Sequence, residues 1–408
     1  MKKLFTLIIT CIATIASAQT YIDTTGGRYW DPIFSTVTIT SNVNYGSNVT
    51  ISGATQTLDM DIYEPAGDTV QMRPLLVLAH GGSFIFGSKT DQDVVTLCTR
   101  FAKMGYVCAS INYRLGMGFP IDTVRAGKAV VRAVQDMKAA IRYFRMDAAA
   151  TNSYHIHPDY IFAGGSSAGA FTALHLAYMD SAEVPAYFNV ASMGGIEGTS
   201  GNPGYPSNVL GVINLCGALG DSAWINAGDI PFVSMHGTAD ATVPYGSAVI
   251  SVLTVPLLVV DGSASLKLRA DNAGVSNPFH TWYGAPHVPY AGTNATQMAY
   301  MDSTVDFVKT FLRPFFGIPI NAAVNSIDIN NLLSLYPNPA HDKLNINLNN
   351  QHLKVNTIQI YTAEGKMVKQ FPGNRILNSI NISSLDKGMY IIKIIIDDKV
   401  AIQKLIVD

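Results

Sequence analysis

Residues 159–171 read Asp159-Tyr160-Ile161-Phe162-Ala163-Gly164-Gly165-Ser166-Ser167-Ala168-Gly169-Ala170-Phe171. Residues 160–163 are a short apolar, β-prone run, and residues 168–177 are a helix-forming stretch, so the chain must turn sharply over 164–169. Within that turn, Gly165-Ser166-Ser167-Ala168-Gly169 has the Gly-x-Ser-x-Gly spacing of a nucleophile elbow. In such an elbow a strained strand-to-helix turn lifts one serine above a sheet, and glycines keep the surrounding backbone clear. Ser167 is the serine in register; Ser166 occupies the variable position. A glycine-serine turn that merely joins two elements shares the pattern, so its flanks and its partners elsewhere in the chain carry the distinction.

Upstream, residues 37–40 and 58–63 alternate apolar and polar side chains, which predicts paired antiparallel strands at the leading edge of a sheet. Residues 74–79, Pro-Leu-Leu-Val-Leu-Ala, form a continuous apolar run of the sort a strand buried on both faces requires, and end in His80-Gly81-Gly82-Ser83-Phe84. A helix over 93–104, a strand over 106–112 and a helix over about 124–144 lead to the elbow strand. After the elbow helix, residues 209–215 and 231–235 read as further strands. Strands alternating with helices predict an α/β architecture, a mainly parallel sheet covered on both sides. A unit of about 300 residues buries roughly three-quarters of its unfolded surface, enough for one large core.

Acyl transfer by a serine needs a base, a group that orients the base, and donors for the oxyanion. In this architecture the chain order is Ser, acid, His. Asp240 lies in His236-Gly237-Thr238-Ala239-Asp240-Ala241-Thr242-Val243-Pro244-Tyr245, just past the strand at 231–235, where open α/β sheets place ligands. Asp221 and Asp261 are the alternative acids. His287, in Gly284-Ala285-Pro286-His287-Val288-Pro289-Tyr290, is kept in a loop by glycine and proline and is the expected base. His280, preceded by Asn277-Pro278-Phe279, competes with it, whereas His236 is expected to pack beneath its own loop and His175 lies on the elbow helix. Gly81 and Gly82 follow a buried strand directly, so their N–H groups, with that of Ala168, form the expected oxyanion hole. Phe84, Phe86, Tyr113, Trp282 and Tyr283 lie near these motifs in sequence. Phe84, Tyr113 and Trp282 are the candidate substrate-binding residues, although core packing explains such aromatics equally well. No metal-ligand spacing is present; His155-x-His157 comes nearest and reads as a polar loop before the elbow strand.

His80-Gly81-Gly82-Ser83-Phe84 with Gly87, Ile111-Asn112-Tyr113-Arg114-Leu115-Gly116, and His157-Pro158-Asp159 leading into the elbow resemble, in that order, the motifs of secreted α/β-hydrolase carboxylesterases of the feruloyl and acetyl esterase kind. The similarity covers about residues 55–315. It implies an α/β-hydrolase fold and a serine ester hydrolase needing no cofactor, with Ser167 as nucleophile, Asp240 and His287 as its relay, and Gly81, Gly82 and Ala168 as oxyanion donors. The sequence departs from these relatives at Ser83, where a third glycine is usual, and at Ser166, where an acidic residue or glycine is usual. His-Gly-Thr-x-Asp-x-x-Val-Pro at 236–244 also resembles esterases acting on plant cell-wall acyl groups and some polyester depolymerases, which draws the expected substrate toward polymers. Two other readings stay open: a serine aminopeptidase or acylaminoacyl peptidase with the same triad, and a non-catalytic relative that acts as a binding protein.

The chain has 408 residues, too many for one ordinary domain. A net charge of -2 with 14% charged residues offers no electrostatic case for nucleic acid or acidic lipid, so small neutral ligands are expected, and the resemblance implies an ester substrate, small-molecule or polymeric, as the partner. Residues 1–18 combine Lys2-Lys3, an apolar run over 4–15 and Ala16-Ser17-Ala18, which describes a secretory signal peptide cleaved before Gln19 and too short to span a membrane. Cys11 leaves with it. Cys98, Cys108 and Cys216 remain, so at least one thiol is unpaired, and the sequence leaves open whether Cys98 and Cys108 join.

Residues 19–318 are the expected catalytic domain, followed by a linker at 319–331. Over 332–408 the texture changes. Leu344, Ile346 and Leu348 alternate with Asn345 and Asn347, residues 358–361 reach a turn at Ala363-Glu364-Gly365, and 389–396 reach Asp397-Asp398 before 400–407. Short alternating strands without a helix pattern predict a small antiparallel β-sandwich. A carbohydrate-binding or spacer module would share that texture. However, Tyr336-Pro337-Asn338-Pro339, then Gly365-Lys366, then Leu385-x-x-Gly388-Met389-Tyr390 and a terminal strand closely resemble the C-terminal sorting domain of the type 9 secretion system. The resemblance implies recognition by outer-membrane secretion machinery and a secreted or cell-surface enzyme, exported through the periplasm of a Bacteroidetes-like bacterium.

Overall fold

The computed structural model describes residues 22–317, 333–348, 355–362, 367–372, 379–396 and 399–408. The expected signal peptide, the linker and the turns at 363–365 and 397–398 lie outside the described residues. The chain divides into two compact units, Met1–Ile318 and Pro319–Asp408.

In the first unit the elements follow in the order β1 (Val37–Val49), β2 (Thr55–Pro65), β3 (Arg73–Ala79), α1 (Gln92–Lys103), β4 (Val107–Ile111), α2 (Thr123–Ala150), β5 (Ile156–Ser166) and α3 (Ala168–Tyr178). Then come β6 (Gly211–Leu215), β7 (Ala218–Leu219), β8 (Phe232–Gly237), β9 (Ser247–Val252), β10 (Val255–Gly262), α4 (Ser263–Ala273), β11 (Phe279–Trp282) and α5 (Ala295–Leu312). Eight strands make one sheet in the order β1-β2-β4-β3-β5-β6-β8-β11. The pairings from β4 to β11 are parallel, while β1-β2 and β2-β4 are antiparallel, so the alternating leading segments do form the sheet's edge.

Alternation along a strand decides which layer each side chain joins. On β3, whose every residue is buried, Leu75, Val77 and Ala79 pack with Val134, Met137 and Ile141 of α2 and Leu174 of α3. Leu76 and Leu78 point the other way, to Leu97 and Phe101 of α1 and Val305, Val308 and Leu312 of α5. Each buried Leu or Val here contributes about 1.5–3 kcal/mol of burial free energy, which is why these strands read as uninterrupted apolar runs. Helix α2 outlasts its expected end because Arg145-Met146-Asp147-Ala148-Ala149-Ala150 holds no breaker, and its start is capped by the Asp122 carboxylate, which accepts the Arg125 N–H at 2.8 Å.

Two departures from the sequence reading shape the site. Strands β9 and β10 form an antiparallel hairpin, with Val249 opposite Val259, and β7 joins them in a small separate sheet. The two-residue turn, Leu253-Thr254, has φ values of 48° and 70°; its residue types carry none of the Asn-Gly signal that announces such turns. The segment 279–282, to which the sequence reading assigned no element, is strand β11, and it places His280 opposite Met235 of β8.

The second unit contains β12 (Leu333–Tyr336), β13 (Lys343–Leu348), β14 (Val355–Thr362), β15 (Met367–Pro372), β16 (Ser379–Asn381), β17 (Gly388–Ile396) and β18 (Lys399–Val407). They form two antiparallel sheets, β12-β13-β16 and β15-β14-β17-β18, around Leu344, Ile346, Ile358, Ile360, Ile392, Ile394 and Leu405. Among the described residues no helix is long and apolar enough to cross a membrane. Cys98, Cys108 and Cys216 are free, buried thiols.

Candidate active site

The site begins at the β5–α3 turn. Ser167 has φ 54° and ψ -116°, a conformation that costs about 1–3 kcal/mol for a residue with a side chain and persists only where the surroundings impose it. The Ser167 N–H is tied to the Leu215 carbonyl of β6 at 2.9 Å. A Cβ on Gly169 would overlap the carbonyl of Ala79, and one on Gly165 would overlap the backbone of Gly169, so the glycines let the turn pack against the end of β3. Ser166 faces away and shares a hydrogen bond with the Tyr290 hydroxyl at 2.8 Å.

Three chain segments meet at Ser167. Its Oγ lies 2.8 Å from Nε2 of His287, and Nδ1 of His287 lies 2.6 Å from Oδ2 of Asp240. The carboxylate is held on its other oxygen, where Oδ1 accepts the N–H groups of Thr242 and Val243, each at 2.8 Å. Oδ2 also meets Nε2 of His236 at 3.1 Å. Burial raises the proton affinity of Asp240, but the hydrogen bonds from His236 and His287, the charge of His287 and the Val243 N–H outweigh it and hold the carboxyl well below its ordinary range. With Nδ1 donating to that carboxylate, Nε2 of His287 presents its lone pair to the serine.

The alternatives lie elsewhere. The Asp221 carboxylate accepts the Ala223 N–H and that of Asp261 accepts the Ser222 N–H, each at 2.8 Å. His280 packs between Trp282 and Phe307. His175 donates from Nδ1 to the Phe171 carbonyl and accepts the Gly220 N–H at Nε2, and burial pushes it down to about 4. Cys216, Asp240 and His287 bring possible metal-ligating atoms within 4.8 Å of one another. Burial pushes the Cys216 thiol up to about 12, and both ring nitrogens of His287 are engaged by Asp240 and Ser167.

Beside Ser167 the chain runs through three consecutive residues of positive φ, Gly82, Ser83 and Phe84, at 102°, 54° and 59°. A Cβ on Gly81 would stand 3.3 Å from Cβ of Ser167, which measures how closely this turn approaches the serine. The N–H groups of Gly81, Gly82 and Ala168 donate to no protein acceptor among the described residues. Tyr113, expected in the substrate pocket, instead supports this turn: its ring stacks on His80 at 4.4 Å and its hydroxyl donates to the His80 carbonyl at 2.9 Å.

Two openings flank the serine. The first is a cavity of about 310 Å³ lined by apolar side chains of α2, α3 and the β9–β10 hairpin, among them Val130, Phe171, Ile250 and Leu258, together with Phe84 from the glycine turn and Trp224. The second, more open, is lined by His287, Gly81, Gly82, Ser166, Asp91 and Asp93. Phe84 lines the first opening, whereas Trp282 lines neither. As the last residue of β11 it faces the α5 side of the sheet, packed on Tyr290 and Tyr300. The cavity wall supplied by α2 and the hairpin was missed from sequence, because those apolar residues read as core until the hairpin is seen to stand clear of the main sheet.

Residues 60–199 match the BD-FAE family, and residues 334–408 match the secretion system C-terminal sorting domain. The first match contains Gly81, Gly82 and Ser167 and ends before Asp240 and His287. The second marks the chain for export by the type 9 secretion system to the cell surface or beyond. No curated protein matches the chain. Among solved structures, the chain is similar to esterase 2 of Thermogutta terrifontis phosphoramylated by tabun, at 22% identity and a TM-score of 0.50 over 70% of this chain and 97% of that one. The same organism's esterase 2 phosphorylated by paraoxon gives 23% identity and a TM-score of 0.49 over 70% and 96%. Its propionate-bound form gives 21% and 0.49 over 68% and 95%. The large unit has the α/β-hydrolase fold, and the smaller unit carries the match to the sorting domain.

Proposed function

We propose that this chain is a secreted serine carboxylic ester hydrolase. The observation that carries the reading is the unbroken hydrogen-bonded series from Ser167 through His287 to Asp240, set beside an apolar cavity and unengaged backbone donors. His287 takes the Ser167 proton as Oγ attacks the ester carbonyl, and Asp240 keeps the imidazole in the tautomer that can do so and balances its developing charge. The N–H groups of Gly81, Gly82 and Ala168 receive the oxyanion, donors of a kind typically worth about 10²–10³ each in rate. Because His287 must protonate the departing alcohol, that alcohol belongs in the opening His287 lines, and the acyl group in the 310 Å³ cavity. Water then enters on the His287 side and releases the acid.

An apolar cavity of this volume favours a feruloyl or medium-chain acyl group over acetyl, since an acetyl group leaves most of the wall uncovered. A polymer-borne ester, of a polysaccharide or a polyester, suits the more open alcohol side. Glu183 and Asp221 also line the cavity, which is where an acyl group with a free amine would seek a carboxylate; this favours the aminopeptidase reading as the second choice. The chain passes through the periplasm before the tail directs it outward.

Turnover of p-nitrophenyl esters from acetate to decanoate and of methyl ferulate by the wild type and by Ser167→Ala tests the proposal. The expected result is a loss of about 10⁴-fold or more in the variant and an optimum beyond acetate. Wild-type turnover in Ser167→Ala refutes the mechanism, and cleavage of aminoacyl arylamides in preference to esters moves the reading to a peptidase.

A further inference from the structure

A second histidine stands behind the proposed relay. The side chains of His236 and Asp240 are both wholly buried, at 0% exposure each. Oδ2 of Asp240 meets two imidazoles, Nδ1 of His287 at 2.6 Å and Nε2 of His236 at 3.1 Å; Nε2 of His236 also lies 3.2 Å from the Val243 carbonyl. Both partners of that Nε2 only accept, so it carries a proton. The far side of the ring is set by a series of bonds that runs back into the sheet. The Gly217 N–H donates to Oδ1 of Asn214 at 2.9 Å, which fixes the amide's orientation. Nδ2 of Asn214 then donates to the Ser234 and Ser263 hydroxyls at 2.8 and 3.1 Å. That leaves the proton of the Ser263 hydroxyl for Nδ1 of His236, 2.9 Å away.

We propose that His236 is a positioning residue for the relay: its Nε2–H, aimed by Ser263 and Asn214, holds Oδ2 of Asp240 against His287 and shares the carboxylate's charge with it. The inference rests on the triad reading above. A carboxylate oxygen that serves two donors gives less of its charge to either, so His236 tempers the pull of Asp240 on the His287 imidazolium. Besides Asp240 and His236, the ionisable groups facing His287 are Cys216 from the turn after β6 and Asp91 and Asp93 at the start of α1. None of those three bonds to the Asp240 carboxylate among the described residues, so they do not replace the lost donor.

Two substitutions separate this role from simple filling of the core. In His236→Gln the side-chain amide reaches the position of Nε2 and keeps a donor for Asp240. In His236→Asn the amide reaches only the position of Nδ1, keeping the Ser263 contact and losing the Asp240 donor. In the full-length protein, His236→Gln is expected to keep kcat on p-nitrophenyl butyrate within about threefold, while His236→Asn loses about tenfold in kcat with KM little changed. The acidic limb of the His236→Asn profile moves to higher pH by about half a unit, because Asp240 then bears on His287 alone. Ser263→Ala, which removes the ring's orienting partner but no donor to Asp240, shows the same direction at smaller size and serves if His236→Asn does not fold. Equal losses in the Gln and Asn variants, or an unmoved acidic limb in folded His236→Asn and Ser263→Ala, overturn the inference. Ser167→Ala assayed alongside keeps the two readings apart: if it too retains activity, the triad reading fails, and if it alone is dead, only the role of His236 does.

Discussion

Replacing Asp240 by Asn tests the relay at the atom on which it depends. The carboxylate accepts four hydrogen bonds, two on Oδ1 from the Thr242 and Val243 N–H groups and two on Oδ2 from His236 and His287. Asparagine offers one oxygen and one NH₂. If the oxygen stays with the two backbone donors, the NH₂ confronts two ring N–H groups, and each buried donor left unpaired costs about 1–3 kcal/mol. His287 escapes this by shifting its proton to Nε2 and accepting the amide at Nδ1. It then turns an N–H rather than a lone pair toward Oγ of Ser167, and the general base is gone. The expected fall in kcat is about 10⁴-fold, the scale at which holding the wrong tautomer disables such a base. KM should stay within a factor of a few, since Asp240 lines neither opening. The assay is kcat and KM on p-nitrophenyl butyrate across pH 6–10, with thermal melting to show that the variant is folded. A folded Asp240→Asn that loses less than tenfold in kcat would refute the argument, because the proton on His287 would then be controlled by something other than this carboxylate.

Val130→Trp on α2 fills part of the 310 Å³ cavity without touching the relay, so specificity should swing toward acetate. At up to about 0.8 kcal/mol per buried methylene, the kcat/KM ratio of octanoate to acetate should drop by at least tenfold, and an unchanged chain-length profile would place the acyl group elsewhere. Gly169→Ala puts a methyl group into the Ala79 carbonyl and beside that of His80, backbone atoms that cannot turn aside. It should lose activity by about 10²-fold through displacement of Ser167 and lower the melting temperature; activity near wild type would mean that the elbow is not packed as described. Because the Asp240 carboxyl is held below its ordinary value in the folded state, the stability of its ionised form is fully present above the unfolded value near ~3.9 and is lost as pH falls through the folded value. The melting temperature should therefore fall below about pH 4 and fall less steeply in Asp240→Asn, which a series of melts from pH 2.5 to 7 checks; identical slopes would count against it.

The elbow, the glycine turn and the order of strands and helices were legible because each is written locally. Gly165, Ser167 and Gly169 state a strained turn in five residues, and residues 74–79 state a strand buried on both faces in six. Asp240 and His287 were legible only as candidates, by order along the chain and by the loops they occupy. No local pattern says that His287 reaches Ser167, 120 positions before it, and Asp240, 47 positions before it, with its two ring nitrogens, and His280 stood as its rival until β11 was seen to carry it into the sheet. The aromatic residues divided for the same reason. Phe84, Tyr113 and Trp282 stand equally close to motifs in sequence, yet one lines the cavity, one supports the glycine turn and one packs on α5. Which face a side chain joins depends on what else packs there, and that is a property of the assembled layers. Local period and turn chemistry thus determined the class of fold and the serine at its centre. The second donor to Asp240, the wall of the apolar cavity and the division of the site into two openings arise only when distant segments close on one another, since a hydrogen bond or a cavity is made by atoms that the chain brings together in space and not by their spacing along it.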